Sequence, residues 1–194
     1  DFGRVIEIHS PEVLLENTLV SPVVKTAYDI AGFPVALTNP NGEVTRIEVN
    51  IRGQPTRIDY PDDTSEEMLY SPEGWLMQKK DRQGVLTQYF RDPIGRVEQE
   101  IVSGGDERKQ TFFRYNAFHL LEQIDPEGTS TFYRYDQAGR LKEIIKGNQK
   151  TEQYYDALGL LAEIREYTEN DDYRATVKKY DKFGRIIEEL LQNK

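Results

Sequence analysis

The chain has 194 residues, of which 37% are hydrophobic and 30% are charged, and it contains 12 Tyr, 8 Phe and no Cys. Its formal net charge is −9, and its 25 Lys and Arg residues are interleaved with 34 acidic ones, which excludes a concentrated basic surface for nucleic acid or an anionic membrane. We therefore expect no nucleic-acid partner and no membrane insertion, and the lack of Cys excludes a disulfide framework and a thiol nucleophile.

A five-residue phrase, Tyr-Asp-x-x-Gly, recurs along the chain at intervals of mostly about 21 residues. It first occurs at residues 28–32, is degraded in the middle of the chain, and is clearest at residues 135–140, 155–159 and 180–185. A regular period of this kind is the signature of a repeat architecture. The last position of the phrase falls at Gly3, Gly32, Gly53, Gly74, Gly95, His119, Gly139, Gly159 and Gly184, where His119 is interpreted as a substitute for Gly.

Each repeat predicts two short strands. Thr131, Tyr133 and Tyr135 stand at alternate positions before the turn, a period of two that predicts a β-strand with one ring-bearing face. Charged residues such as Arg134 occupy the intervening positions and are predicted to point the other way. Branched residues return after the Gly, as at Leu141, and predict a second strand. A second turn then follows, seen at residues 39–42, 81–84 and 125–128.

The residue types of the phrase point to turn chemistry. Asp, Asn and Ser can each bond a backbone N–H two residues on through a short side-chain oxygen, and Gly supplies a positive φ at the end of the turn. We interpret these residues as structural rather than catalytic. The signature consists of Tyr28, Asp29, Gly32, Gly53, Tyr70, Gly74, Asp92, Gly95, Arg96, Tyr115, Asn116, Tyr135, Asp136, Gly139, Arg140, Tyr155, Asp156, Gly159, Tyr180, Asp181, Gly184 and Arg185.

Together these elements predict an all-β fold, a continuous antiparallel single-layer sheet of tandem β-hairpin repeats. Residues 1–194 are expected to form a single array of about eight repeats and about sixteen strands, with the first repeat truncated because the chain is a segment of a longer protein. Intervals longer than the period require longer loops, which we expect near residues 9–26, 102–109 and 166–174.

The phrase at this period resembles the RHS or YD repeat of bacterial RHS proteins, Tc toxin shell components and teneurins. Three copies, at residues 135–140, 155–159 and 180–185, match it strongly, whereas Val49 and Arg91 depart from the Tyr position. The resemblance implies a curved or spiral segment of a shell that encapsulates or displays a toxin or effector domain. It also implies flanking repeats and that cargo domain as partners, and a secreted or cell-surface location.

Other candidate sites in the sequence favour structural interpretations. His9 and His119 lack metal-ligand spacing, and the acidic stretch at residues 169–172 lacks the alternation of a calcium loop. The Asp-Pro pairs at residues 92–93 and 125–126 resemble the self-cleavage element of the family but lie in repeat context, which predicts turns. We therefore expect no enzyme activity, no metal and no cofactor.

Three alternatives remain open at the level of sequence. The Tyr-rich face could bind carbohydrate, or the chain could bind a cell-surface protein. Two repeats of this length could also form one blade of a β-propeller, although the period of one hairpin favours a continuous sheet. An enzyme would need two unlike carboxylates in unlike environments, which equivalent Asp residues in each repeat do not provide.

Overall fold

The computed structural model describes residues 3–15, 18–168 and 172–193, and all regular secondary structure in these ranges is β-strand. None of these residues lies in a helix long and apolar enough to cross a bilayer. The strands are β1 (Glu7–His9), β2 (Val13–Leu15), β3 (Thr18–Val20), β4 (Val23–Tyr28), β5 (Pro34–Thr38), β6 (Val44–Val49), β7 (Pro55–Asp59), β8 (Ser65–Tyr70), β9 (Leu76–Lys80), β10 (Leu86–Arg91), β11 (Val97–Gly104), β12 (Glu107–Tyr115), β13 (Leu120–Ile124), β14 (Ser130–Tyr135), β15 (Leu141–Lys146), β16 (Gln149–Tyr155), β17 (Leu161–Tyr167), β18 (Tyr173–Tyr180) and β19 (Ile186–Asn193).

Seventeen of these described strands belong to one sheet, and β2 and β3 form a separate two-stranded sheet. Strands that follow one another pair antiparallel, as β14 does with β13 and β15. Strand β1 pairs with β4, so the β2–β3 hairpin is excluded from the main sheet. The predicted all-β fold of tandem antiparallel hairpins is confirmed.

The chain divides into two compact units. The first comprises Asp1–Gly95 and Ile101–Arg108, and within it β4 to β10 pair in chain order. The second comprises Arg96–Glu100 and Lys109–Lys194, and within it β12 to β19 pair in chain order. Strands β11 and β12 contribute residues to both units.

The sheet has almost no buried interior. Among the described residues, the buried hydrophobic side chains are Ile101 and Ala175, and the buried polar ones are Asp92 and Glu122. A sandwich of two sheets would instead enclose a layer of fully buried apolar side chains. The predicted single-layer sheet is thus confirmed, and its stability depends on pairs between neighbouring strands.

The two faces of the sheet differ as the period of two predicts, with one exception. In β14, Thr131, Tyr133 and Tyr135 are half-buried, and Arg134 on the other face is exposed. Phe132 also lies on that second face, between Glu122 and Ile145 of the neighbouring strands, and is 40% exposed. Phe112 is similarly exposed at the equivalent position of β12, and Leu69 and Phe90 are exposed at the position that Arg134 occupies in β14. The face predicted to be charged therefore also carries apolar residues. They remain exposed because in a single layer only side chains of neighbouring strands can pack against them.

The structure differs from the loops expected where the interval exceeds the period. Residues 9–26 contain the β2–β3 hairpin and the start of β4. Near residues 102–109 the extra residues lengthen β11 and β12 to eight and nine residues, joined by a short turn. Antiparallel strands can absorb extra residues in this way because each added residue finds a partner in the ladder. Near residues 166–174, Thr168 N–H donates to the carbonyl of Asp172 at 2.8 Å, and residues 169–171 lie outside the described ranges.

Candidate functional site

The Tyr-Asp-x-x-Gly phrase forms a compact turn between paired strands, here called the corner turn, and its clearest example joins β14 to β15. The backbone N–H of Asp136 donates to the carbonyl of Arg140 at 2.9 Å, and that of Gly139 donates to the carbonyl of Asp136 at 3.0 Å. Oδ1 of Asp136 accepts hydrogen bonds from the N–H groups of Ala138 and Arg140, both at 2.9 Å. The side chain thus satisfies backbone donors that the turn removes from the sheet ladder.

The carboxylate of this turn is also paired with a cation of its own repeat. Nε of Arg140 donates to Oδ2 of Asp136 at 2.7 Å, and hydrogen bonds from the Arg140 backbone and side chain lower the pKa of Asp136. Asp181 and Arg185 repeat this arrangement at 2.7 Å, and the hydrogen bond from the Arg185 backbone lowers the pKa of Asp181. A carboxylate held ionised by these donors acts as a turn acceptor and is a poor proton donor at neutral pH.

Most of the other corner turns share the same kind of acceptor, supplied by Asp or Asn. Each accepts a hydrogen bond from a backbone N–H two residues on. These bonds run from Arg52 to Asn50 at 2.9 Å, from Ile94 to Asp92 at 3.0 Å, from Phe118 to Asn116 at 2.8 Å, from Leu158 to Asp156 at 2.9 Å and from Phe183 to Asp181 at 2.8 Å. At Asp29 the hydrogen bond comes from the N–H of Phe33, four residues on, at 2.9 Å, and at Ser71 the hydroxyl accepts from the N–H of Trp75, also four residues on, at 3.2 Å.

The second turns use the same acceptor chemistry, a feature that the sequence analysis did not identify. Oδ1 of Asp81 accepts from the N–H groups of Gln83 and Val85 at 2.9 Å. Asn39 and Asp125 act in the same way in their own turns. The signal was present in the sequence, because these turns also place Gly three residues after an Asp or Asn. The two kinds of turn therefore differ in their neighbours rather than in their backbone chemistry.

Glycine closes the corner turn for two physical reasons. All eight glycines at the last position of the phrase have positive φ, which L side chains rarely adopt. Several also touch the preceding repeat: a Cβ built on Gly95 would lie 2.6 Å from the ring of Trp75, and one on Gly53 would lie 2.2 Å from the ring of Phe33. Trp75 and Phe33 each follow the glycine of the repeat before. Successive corner turns are therefore in direct contact.

The signature Tyr forms the first specific link between successive repeats. Its hydroxyl donates to a backbone carbonyl just after the preceding corner turn. That carbonyl lies at the beginning of the next strand or shortly before it. These bonds run from Tyr28 to Val5 at 2.9 Å, from Tyr135 to Leu120 at 2.9 Å, from Tyr155 to Leu141 at 2.8 Å and from Tyr180 to Leu161 at 2.7 Å. Burial raises the pKa values of Tyr135 and Tyr155, which keeps both hydroxyls as donors.

A cationic or aromatic side chain from the preceding repeat covers one face of the same Tyr ring. It comes from the residue that follows the glycine position. The distances to the ring centre are 5.2 Å for Arg4 over Tyr28, 4.6 Å for Arg96 over Tyr115 and 4.4 Å for Arg140 over Tyr155, while His119 stacks on Tyr135 with 4.2 Å between ring centres. Each such contact adds a cation–π or stacking attraction between repeats. We call this series of linked corner turns the corner column.

The degraded repeat at Arg91 retains the link in a different chemical form. Its guanidinium donates to the carbonyl of Leu76 at 3.0 Å, and to that of Gly95 at 2.8 Å. Leu76 occupies the position of Leu141, whose carbonyl accepts the hydrogen bond from Tyr155. The guanidinium of Arg91 therefore reaches the carbonyl that a Tyr hydroxyl reaches in other repeats. From the sequence alone, Arg91 is only a departure from the Tyr position.

The interpretation of His119 as a substitute for Gly is wrong. The backbone N–H of Asn116 donates to the carbonyl of His119, as that of Asp136 does to Arg140, and Tyr115 lies opposite Leu120 as Tyr135 lies opposite Leu141. His119 thus occupies the position of Arg140, and the turn is one residue shorter because the glycine is absent. A gap in the phrase cannot be distinguished from a substitution by counting positions alone.

A second cluster lies on the other face of the sheet and was also missed. The Glu152 carboxylate accepts from Nζ of Lys150 at 2.6 Å and from the hydroxyl of Tyr167 at 2.7 Å, and it also accepts from the hydroxyl of Tyr154. Arg165 donates to the Tyr154 hydroxyl at 3.1 Å and lies 4.2 Å from the centre of that ring. These residues come from β16 and β17 and become neighbours only through the strand register.

The electrostatics of the Glu152 cluster follow from this crowding. Burial by itself would raise the pKa of Glu152, but hydrogen bonds from Lys150, Tyr154 and Tyr167 outweigh it and lower that pKa from 4.5 to about 2. The bond to Glu152 raises the pKa of Tyr154. Glu143 lies directly opposite Glu152, and Nζ of Lys150 is 3.7 Å from it as well. Lys150 therefore separates two facing carboxylates that would otherwise repel each other.

The remaining candidates are isolated. His9 is exposed and lies 3.3 Å from Glu7 through Nε2. Within the described ranges no group of three or more His, Asp or Glu side chains is arranged to hold a metal ion. Most of the acidic stretch at residues 169–172 lies outside those ranges. The geometry thus defines the chain as a tandem β-hairpin repeat protein whose repeated residues link neighbouring repeats.

Comparisons with known proteins agree with this class. A family model described as RHS repeat matches residues 115–151. The crystal structure of TcdB2-TccC3-TEV is 16% identical to this chain with a TM-score of 0.54, covering 90% of this chain and 12% of that one. A Tc holotoxin pore from Photorhabdus luminescens is 15% identical with a TM-score of 0.55, covering 98% of this chain and 11% of that one. No curated protein matches the sequence.

The chain thus spans only about an eighth of the length of these structures, and the likeness shows a common fold. The predicted resemblance to RHS/YD-repeat proteins is confirmed by the family match and by the fold.

Proposed function

We propose that this chain is a wall segment of an RHS-type shell, which encapsulates or displays a toxin or effector domain of the same larger protein. The observation that carries the proposal is the corner column. Each of its links joins one repeat to the next through a Tyr hydroxyl, a ring contact or a guanidinium. A sheet stabilised by contacts between neighbours can be extended repeat by repeat without a closed core, as a wall requires.

The proposal includes the organisation of the chain. Residues 1–194 would act as one array of about eight repeats, with the signature residues of each repeat serving the link to the next. Flanking repeats and the carried domain would be its partners, and the complete protein would be secreted or placed at the cell surface. The solved Tc structures support this proposal through their fold, and one of them is a Tc holotoxin pore.

A structural role suits the chemistry of the signature better than catalysis does. The Asp carboxylates are equivalent from repeat to repeat and accept backbone hydrogen bonds, as at Asp136 and Asp156. General acid and base catalysis needs two groups whose environments separate their pKa values. The same geometry weighs against sugar stacking at the signature Tyr residues, because a side chain of the preceding repeat covers a face of Tyr135 and of Tyr155.

The proposal is tested with the complete longer protein, in which the domain carried by the shell is probed by limited proteolysis. We expect that domain to resist a protease that degrades it when it is expressed alone. Replacing Tyr135, Tyr155 and Tyr180 by Phe removes three links between repeats and should lower the denaturant concentration at which the carried domain becomes accessible. Equal cleavage of the domain within the longer protein and alone would contradict the proposal.

A further inference from the structure

Two tyrosines outside the repeated phrase face each other where β17 is joined to β18. Tyr167 pairs directly with Tyr173 in the register of the two strands, and their ring centres are 5.3 Å apart with the ring planes tilted by 48°. The N–H of Thr168 donates to the carbonyl of Asp172 at 2.8 Å, so the adjacent pair of tyrosines is a non-hydrogen-bonded pair. Side chains of such pairs lie closest together across an antiparallel ladder.

The repeat itself does not require aromatic rings at these two positions. Four other second turns have a strand pair at the same place, directly beside the turn. These pairs are Thr38 with Val44, Asp59 with Ser65, Lys80 with Leu86 and Ile124 with Ser130. None of the four contains an aromatic residue, and their turns form through the same backbone hydrogen bond. The tyrosine pair is therefore a property of this hairpin, and turn formation does not explain it.

Charged neighbours hold the two rings in place. The hydroxyl of Tyr167 donates to the carboxylate of Glu152 at 2.7 Å. The Lys150 ammonium lies 4.6 Å from the ring centre of Tyr167, and the Arg165 guanidinium lies 4.9 Å from that of Tyr173. Both tyrosines are only half-buried, so part of each side chain is open to solvent. The pair thus combines a fixed geometry with a carboxylate that can take a phenolic proton and with access for an oxidant.

We propose that Tyr167 and Tyr173 form a site of oxidative cross-linking. A haem peroxidase acting with hydrogen peroxide, as a one-electron oxidant, would join the two rings as dityrosine and so tie β17 covalently to β18. The chain contains no Cys, so a disulfide cannot supply such a link. The inference concerns this hairpin alone and does not depend on the proposed shell function.

The coupling removes one electron and one proton from each phenol. The electrons pass to the oxidised haem, and the proton of Tyr167 passes to Glu152, because a phenol that has lost an electron is a far stronger acid than a carboxylic acid. The two phenoxyl radicals then form one bond between Cε atoms, and the hydrogens on those carbons move to the oxygens and restore both phenols. The rings must approach by about 1 Å, which rotation about the broad χ2 torsion permits. The two electrons and two protons reduce hydrogen peroxide to two water molecules.

Oxidation of the folded 194-residue chain by a haem peroxidase and hydrogen peroxide tests the proposal. Trypsin releases residues 166–174 as one peptide, which should lose two hydrogen atoms and stay in one covalent piece after cleavage behind Glu169, between the two tyrosines. We expect this link to exceed that of any other Tyr pair by at least about tenfold, because partners held together react at a high effective concentration. A parallel reaction with N-acetyltyrosinamide verifies that the oxidant is active.

A variant separates this pair from the other tyrosines. Tyr173→Phe keeps the ring but cannot form the phenoxyl radical, so the dityrosine fluorescence of the monomeric chain should fall at least about tenfold. The matched control is Tyr133→Phe, because Tyr133 lies opposite Ile144, and its fluorescence should equal that of the wild type. Circular dichroism verifies the fold of each variant, and the wild-type peptide map decides the question if a variant misfolds.

Three results would overturn the proposal. The first is an unchanged peptide 166–174 while N-acetyltyrosinamide is converted to its dimer. The second is coupling of Tyr167 or Tyr173 only between separate chains, detected as covalent dimers. The third is undiminished fluorescence in a folded Tyr173→Phe chain.

Discussion

Replacing Glu152 by Gln tests whether the cluster on the second face stabilises the sheet. The change keeps the shape of the side chain but removes the charge that holds Lys150 at 2.6 Å and accepts from Tyr167 at 2.7 Å. The pKa shift from 4.5 to about 2 sets an upper limit of about 3.5 kcal/mol, at about 1.4 kcal/mol per pH unit. Screening around the partly exposed Lys150 reduces the expected loss in the free energy of unfolding to about 1–2 kcal/mol.

The loss should depend on pH with a definite sign. The folded-state pKa of Glu152 is lowered, so its contribution is fully present above the unfolded value near 4.5 and is lost as the pH falls towards about 2. Urea unfolding followed by circular dichroism should therefore show a wild-type advantage at pH 7 that narrows between pH 4.5 and pH 2. Glu67→Gln, which removes an exposed partner of Arg57, serves as the control and should cause no measurable change.

The role of Lys150 gives a sharper test of the same reasoning. Lys150→Met should destabilise the chain more than Glu152→Gln does, because it leaves Glu152 without its lysine and facing Glu143, which retains only its own ion pair with Arg134. The double variant of Lys150 and Glu152 should recover part of that loss, since the repulsion disappears with the second charge. The reasoning is refuted if Glu152→Gln is neutral at pH 7, if its effect is independent of pH, or if the double variant is no better than Lys150→Met.

Three further predictions concern the corner column, and each is measured as a change in the free energy of urea unfolding of the isolated chain. Tyr155→Phe should cost about 0.5–1.5 kcal/mol because the Leu141 carbonyl loses its donor at 2.8 Å, whereas Tyr133→Phe, whose hydroxyl lies 3.3 Å from Gln123, should cost less; equal effects would contradict the role of the link. Gly95→Ala should cost more than about 2 kcal/mol because its Cβ would meet the Trp75 ring at 2.6 Å, while Gly84→Ala, with similar φ but open space, should show only backbone strain of about 1 kcal/mol. Asp156→Ala should cost about 1–2 kcal/mol by leaving the N–H groups of Leu158 and Leu160 without their acceptor, and Asp156→Asn should retain most of the stability; a neutral alanine variant would refute the turn role.

Much of the fold could be predicted because its signals are local. The alternation around Tyr135 defines a strand face within six residues, and the Asp-to-Gly spacing defines a turn within four. These preferences act before any tertiary contact forms. The same locality explains the errors. The missing glycine shortens the turn before His119 by one residue but keeps the backbone hydrogen bond that closes it, and the extra residues near 102–109 lengthen two strands where a loop was expected.

The links of the corner column could be predicted only in part. The phrase identified Tyr135 and Tyr155 as residues of one face, but not the carbonyls to which their hydroxyls donate. The guanidinium of Arg91 shows why: different side chains can reach the same backbone atom when the strands hold them in register. The repeated phrase shows only the residue that most often makes the link, which is Tyr. The strand register determines which other side chains, such as that of Arg91, can make the same link.

By itself, the sequence determined the repeated hairpin, the turn residues and the RHS resemblance, because each depends on neighbours within one period of the chain. Only the tertiary structure decided which residues meet across strands. The Glu152 cluster assembles Lys150, Tyr154, Arg165 and Tyr167 from two strands, and the Trp75 ring reaches Gly95 from the preceding repeat. The reason is geometric: in an antiparallel sheet a residue lies beside partners whose distance along the chain depends on the turn between them, and a shift of one residue would move each side chain to the other face.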